Sequence, residues 1–270
     1  MSSLPTLVCV HAHPDDEAFF GAGASAHYAA LGHRVVLITC TNGQLGFDGA
    51  GRAGNVAGHD ALETRITRAG ELQRAASLLG IARVVTLGYD DSGMKGWPEN
   101  ENPHAFMNAD AAAAARTIAS IVDEEHAAVV VTYDENGFYG HPDHVQANVV
   151  TRRALDFSTS LARLYYPVLP RGVITRFIEG AKELGMSLPS FVLDAGRNIP
   201  DELVAVTLDV RAYARLKQRA MATHVSQIDN DDLVRMNEEL FTLLFGTEYY
   251  QRAWSRHEAT DDGADLFGGL

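Results

Sequence analysis

A three-layer α/β fold, with a mostly parallel sheet and helices on both faces, is what this sequence predicts. Short apolar runs alternate with longer helical patterns through roughly the first 150 residues. The runs are made of Val, Ile and Leu without polar alternation, as strands covered on both faces require. The chain is 270 residues long and 46% hydrophobic, enough to fill the space between such layers.

Taken in order, "TLVCV" (6–10) reads as the first strand and 17–31 as a helix that stops at Gly32. "RVVLITC" (34–40) is the second strand, and 60–79 is a helix with Asp60 near its start and Gly80 just past its end. "RVVTL" (83–87) is the third strand. A helix over 108–125 follows, with Asn108 near its start and alanines at 109–115 supplying helix propensity. "AAVVVTY" (127–133) is the fourth strand. This βαβ series is Rossmann-like. Beyond about residue 156 come "LYYPVLPRG", a helical "VITRFIEGAKELG", a strand-like "LVAVTLDV", and helical stretches at 211–222 and 231–245. No Pro/Ser/Gly-rich linker intervenes. Residues 1–255 therefore read as a single catalytic domain, with 155–255 completing the fold and the substrate pocket and 256–270 a frayed tail. The long connections 41–59 and 88–103 are expected to be functional.

The 35 acidic residues outnumber the 22 basic ones, a formal charge of -13 that argues against nucleic acid and anionic membranes and for a small-molecule partner. No run of about 18 apolar residues exists to insert in a membrane, and "MSSLPTLVCV" lacks the pattern of a secretory signal, so a cytoplasmic location is expected. Cys9 and Cys40 lie in apolar runs and are expected to be buried thiols. Monomer and homo-oligomer are both left open.

The chemistry gathers at strand ends. In "VCVHAHPDDEAFFG" (8–21) a buried strand opens into two histidines, a proline and three consecutive acids. Ligands of open α/β sheets collect beyond the carboxyl ends of strands, where this segment lies. Like charges so close together call for a positive partner. His13 and Asp16 could ligate a metal, leaving Asp15 free; the plainer account is helix capping by Asp15 or Asp16. The same chemistry recurs after the fourth strand, in "DENGFYGHPDH" (134–144). Histidine and carboxylate without thiolate suit zinc, with iron or manganese as alternatives. Three protein ligands plus water is the catalytic zinc arrangement, and spacing leaves both His141 and His144 open as the third. A metal that lowers the pKa of its water to about 7 implies hydrolysis. Asp15 would take a proton and the remaining histidine would give one.

"AHPDDE" (12–17) and "GHPDH" (140–144), with "TRAGELQRAASLLG" (67–80) and "YDDSGM" (89–94), resemble the PIG-L/LmbE family of zinc-dependent de-N-acetylases. That resemblance implies that His13, Asp16 and His144 hold zinc, that Asp15 is the general base and His141 the general acid. It also implies that Tyr139 helps stabilise the oxyanion and that Asp143 orients a histidine. Arg68 and Asp91 match positions that bind sugar hydroxyls, with Asp90 blurring the second assignment. The implied reaction removes an N-acetyl or N-acyl group from a glucosaminyl-type, small-molecule amino sugar by attack of zinc-bound water. A mycothiol S-conjugate amidase-like activity is the alternative. His224 in "MATHVSQ" resembles a downstream segment of the family, but a solvated helix-end histidine is the plainer account of it. The pair Phe19–Phe20 and the loop "FDGAGRAGNVAGHD" (47–60) depart from the family pattern, and both are candidates to line the pocket beside an apolar aglycone or acyl chain.

Three rivals are weaker. "GAGASA" (21–26) fits a dinucleotide fingerprint but begins about ten residues too late after its strand. A phosphoesterase would want Arg or Lys near the metal loops, and neither 11–17 nor 134–144 contains one. A non-catalytic metal-binding protein would lack the base that Asp15 provides.

Overall fold

A computed structural model describes residues 4–183, 198–227, 231–257 and 263–270. In chain order the elements are β1 (Thr6–His11), α1 (Asp16–Phe19), α2 (Ala22–Ala30), β2 (Val35–Thr41), α3 (Ala61–Leu78), β3 (Arg83–Tyr89), α4 (Ala111–Glu124) and β4 (Ala127–Val131). There follow α5 (Gly137–Gly140), α6 (Pro142–Ala154), β5 (Arg163–Pro170), α7 (Arg171–Glu183), β6 (Asn198–Ile199) and β7 (Val206–Asp209). The chain closes with α8 (Ala214–Met221), α9 (Asp231–Val234), α10 (Glu238–Phe245) and β8 (Thr247–Ser255).

The sheet runs β3-β2-β1-β4-β5-β8-β7, with the short β6 paired to β5. β3 through β5 are parallel neighbours, whereas β8 is antiparallel to both β5 and β7. Every residue of β1 and β2 is buried, and successive side chains enter different cores. Val8, Val10, Val36 and Ile38 join a cluster with Ile118 and Val150, while Leu7, Cys9, Val35 and Leu37 join one with Tyr28 and Leu72. The period of two thus splits between two covered faces, and for that reason the strands carry no polar alternation.

The chain leaves β1 toward β2 and β3 and then crosses back to β4 on the other side of β1. This is a topological switch point, and it makes β1 and β4 neighbours, Cys9 pairing with Val131. The two histidine loops therefore emerge side by side. Cys9 and Cys40 are free and buried, and among the described residues no helix is long and apolar enough to cross a membrane.

Several elements differ from expectation. The helix expected over 17–31 is broken at Phe20–Gly21, where Gly21 takes φ +86° and restarts the helix as α2. Asp110, not Asn108, caps α4, accepting the amides of Ala112 and Ala113. The stretch 231–245 divides because the Asn237 side chain caps a new helix by accepting the Leu240 amide. The strand β8 was not anticipated. Within the expected frayed tail, 263–270 is packed: Leu266 and Phe267 are buried, the Leu266 amide donates to the Tyr28 hydroxyl at 2.8 Å, and Arg163 reaches the Leu266 carbonyl at 3.3 Å. Two apolar side chains inserted beside Tyr28 hold that end down. Residues 184–185 of the expected helix "VITRFIEGAKELG" and 258–262 of the tail lie outside the described residues.

Candidate active site

The loop after β1 turns sharply. Asp15 adopts φ +127°, a region that side-chain-bearing residues rarely occupy, and this sets its carboxylate apart from that of Asp16. After β4, Gly137 and Phe138 both take positive φ, at 62° and 64°, before His141 opens α6 as its N-cap. Pro142 at the first helical position fixes that start.

His13, Asp16 and His144 converge. His144 Nε2 lies 3.2 Å from His13 Nδ1 and 3.4 Å from Asp16 Oδ1, and His13 Nδ1 lies 3.4 Å from Asp16 Oδ2. Ligands about 2.0–2.1 Å from a tetrahedral zinc are about 3.3–3.4 Å apart, and the three contacts are of that size, Asp16 reaching His144 through Oδ1 and His13 through Oδ2. His141 also brings a ligand atom within 4.8 Å of those of His13 and His144.

Supporting contacts fix each of the three. Asp16 Oδ2 accepts from the Tyr133 hydroxyl (2.6 Å) and the His13 amide (2.7 Å), and the Tyr133 ring stacks on His144 with centroids 4.0 Å apart. His13 Nε2 is 3.2 Å from Asp143 Oδ2. Asp143 is in turn held by the Ser92 amide at 2.8 Å and by the Ser92 hydroxyl. A carboxylate on the far nitrogen of a ligating histidine fixes its tautomer and raises its basicity. His13, Asp91, His141 and Asp143 also cluster within 4.8 Å, but both Asp143 oxygens are already engaged, and that group reads as the support for His13.

The charges follow from this packing. Burial opposes protonation of His13, yet Asp91, Asp143 and Asp16 together raise it well above its ordinary value. Burial likewise disfavours the Asp16 carboxylate, and His144 and His13 overcome it, holding Asp16 well below the usual range. The centre attracts positive charge, and a cation bound there displaces the proton. Burial and then His13 push His144 down to about 3, leaving it neutral, the form that metal binding requires. Asp15 is raised to about 7, first by burial; Arg68 works against that and Asp16 adds to it. Burial and then His13 and His144 bring His141 to about 3. Its Nδ1 accepts the Asp143 amide at 3.1 Å, so the proton of the neutral ring sits on Nε2.

The remaining expected residues take distinct places. Arg68 is 3% exposed, with Nη2 3.1 Å from Asp15 Oδ1 and donating to the Pro14 carbonyl, and Nη1 donating to the Gly43 carbonyl at 2.7 Å. In this state it orients Asp15 and joins two loops. Asp91 is buried 3.7 Å from His13, whereas Asp90 turns to Asn102, which separates the two adjacent acids. Tyr139 is 39% exposed, its ring edge-on to that of His144 with centroids 4.8 Å apart. Phe20 contacts the rings of Tyr133, Phe138 and His144, so it lies against the site, while Phe19 packs into the separate cluster around α8. Both long loops reach the site: Gln44 accepts the Asp91 amide at 3.1 Å, and Asp91 and Ser92 belong to the second loop. At the start of α2 the carboxylate of Glu248 accepts the Gly23 and Ala24 amides, both at 2.9 Å, so the chain itself fills the place where a dinucleotide phosphate would bind.

Sequence reasoning missed Tyr133, Ser92 and Glu17. His224, set aside as a solvated residue, is 2% exposed and 2.6 Å from Glu17. The recurrence of a hydroxyl residue at the end of β4 and beside Asp91 was the available signal.

Adjacent strand ends that carry a His/Asp/His centre and a detached carboxylate define the class of fold and site. Residues 8–155 match the family described as GlcNAc-PI de-N-acetylase (PIG-L), and the chain belongs to that family. A relative from Geodermatophilus obscurus, 1D-myo-inositol 2-acetamido-2-deoxy-alpha-D-glucopyranoside deacetylase, is 40% identical, the match covering 98% of this chain and 97% of the relative. Among solved structures, N,N'-diacetylchitobiose deacetylase from Pyrococcus horikoshii is similar with TM-score 0.57 and 18% identity, covering 92% of this chain and 82% of that one. GalB, the 4-carboxy-2-hydroxymuconate hydratase of Pseudomonas putida, is similar with TM-score 0.63 and 14% identity, covering 95% and 99%. These two likenesses show the fold. A deacetylase and a hydratase share it, so activity has to be argued from the site.

Proposed function

We propose that this chain is a zinc-dependent hydrolase that removes the N-acetyl group of a glucosaminyl-type substrate, of the kind for which the Geodermatophilus relative is named. The observation that carries this is the spacing of His13 Nδ1, His144 Nε2 and the Asp16 carboxylate at 3.2–3.4 Å, beside a base raised to about 7. Those three residues would hold the zinc, which when bound supplies a Lewis acid and makes water acidic enough to attack an amide at neutral pH.

The rest is done by the chain. Asp15, held by Arg68, takes the proton of the attacking water; a base near neutrality suits that task. His141, placed as the acid, holds the departing nitrogen with its Nε2 proton, and the proton that nitrogen gains is the one Asp15 took from the water. Tyr139, beside His144, donates to the developing oxyanion. Asp91 and Arg68 would bind the sugar hydroxyls, and Phe20, against the His144 ring, would offer the substrate an apolar surface. The substrate is a soluble amino sugar met in the cytoplasm.

The test is to incubate zinc-loaded protein with a panel of N-acetylglucosaminyl compounds, the inositol glycoside among them, and to measure acetate and free amine. Equimolar release of both, lowered about 10²–10⁴-fold by Asp15→Asn with metal content kept at one equivalent, is expected. No acetate from any of the panel, or undiminished release by the Asn variant, would overturn the proposal.

A further inference from the structure

The segment that follows α8 delivers a buried histidine that no step above uses. His224 Nε2 lies 2.6 Å from Oε1 of Glu17, and each residue is 2% exposed. The second carboxylate oxygen, Oε2, accepts the backbone amide of Asp15 at 3.0 Å. That amide belongs to the residue with φ +127°. A non-glycine residue stays in such a conformation only where its surroundings over-determine it.

The segment is itself clamped. Ser226 donates from its amide (2.9 Å) and its hydroxyl (2.7 Å) to the two oxygens of Glu71, three residues after Arg68 on the same helix. α3 therefore grips the Asp15 carboxylate directly, through Arg68. It grips the Asp15 backbone indirectly, through residues 226, 224 and 17. Buried charge pairs do little for net stability, because desolvation offsets most of their attraction, so stability alone is a poor reason for this one.

We infer that Glu17 and His224 are positioning residues for the proposed base. His224 fixes the orientation of Glu17, and Glu17 fixes the left-handed backbone of Asp15, so that its carboxylate has a single direction relative to the attacking water. The inference rests on Asp15 being the base. It assigns a task to a histidine 207 residues from Glu17 in sequence.

The test compares Glu17→Met, which removes the acceptor, with Glu17→Gln, which keeps one. Displacing a reacting group by about 1 Å costs about 10²-fold. Glu17→Met is expected to lower kcat by about that factor, with KM within about twofold and zinc at one equivalent, and Glu17→Gln to recover about tenfold of the loss. In an Asp15→Asn background Glu17→Met should lower the residual rate by less than about threefold, because the two residues act as a unit. His224→Phe against His224→Gln should give the same order without touching residue 17, and this pair decides the matter if Glu17→Met does not fold. Wild-type kcat in folded, zinc-loaded Glu17→Met or His224→Phe would overturn the inference. So would an equal loss in both backgrounds. If Asp15→Asn is impaired while Glu17→Met is not, only the positioning role falls; if Asp15→Asn is fully active, the base assignment falls with it.

Discussion

Replacing Asp143 by Asn asks how much of the metal's affinity resides one layer behind its ligands. Asp143 is 0% exposed and its oxygens accept from Ser92 and approach His13 Nε2 at 3.2 Å. An amide keeps the shape but replaces one acceptor oxygen with a donor NH2. If that nitrogen faces His13, the ring loses the partner that fixes its tautomer with Nδ1 free to ligate; if it faces Ser92, two donors meet. Removing such a partner typically costs 10–100-fold in metal affinity, or about 1.4–2.7 kcal/mol. The assay is competition of zinc between the protein and a chromophoric chelator, read as the zinc dissociation constant, with circular dichroism to show that the fold persists. A constant within about twofold of wild type would refute the role of Asp143 in holding His13.

Three further outcomes follow from the same geometry. Because Asp15 must be ionised to act and is raised to about 7, kcat/KM should rise with pH through that region, and a rate flat from pH 5 to 8 would contradict it. Arg68 favours the Asp15 carboxylate from 3.1 Å, so Arg68→Gln should move this acidic limb to higher pH, measured as a shift of the profile's inflection. Lys217 and Glu248 form a buried pair at 2.9 Å that also ties α2 to β8, and Lys217→Met, by stranding Glu248, should lower stability by about 3–5 kcal/mol in urea unfolding.

The parallel core strands and both histidine loops were legible because their signals are local. An unbroken apolar run needs two covered faces, and acids with histidines at its end need a partner. What the sequence withheld was adjacency. Nothing in "TLVCV" or "AAVVVTY" says that β4 lies beside β1, yet that neighbour relation alone brings His144 to His13. His141 and His144 are both open on spacing; in the fold His141 caps α6 through Nδ1 and still brings a ligand atom within 4.8 Å of those of His13 and His144, while His144, one turn on, points its Nε2 at His13 and Asp16. Tyr133 read as the last residue of a strand, and only the fold shows its hydroxyl on Asp16. Glu17 and His224 were obscured for the same reason, the first by two louder acids and the second by distance along the chain. β8 escaped notice because only Glu248 and Tyr250 in it are buried, and one of these is charged.

The proposed reaction depends on a single cation shared by His13, Asp16 and His144. Anomalous diffraction at the zinc edge from crystals grown with one equivalent of zinc tests this most directly. The expected result is one peak about 2.0–2.1 Å from His13 Nδ1, His144 Nε2 and an Asp16 oxygen. A peak bounded instead by Asp91, His141 and Asp143, or full activity in protein stripped of metal by a chelator, would contradict it.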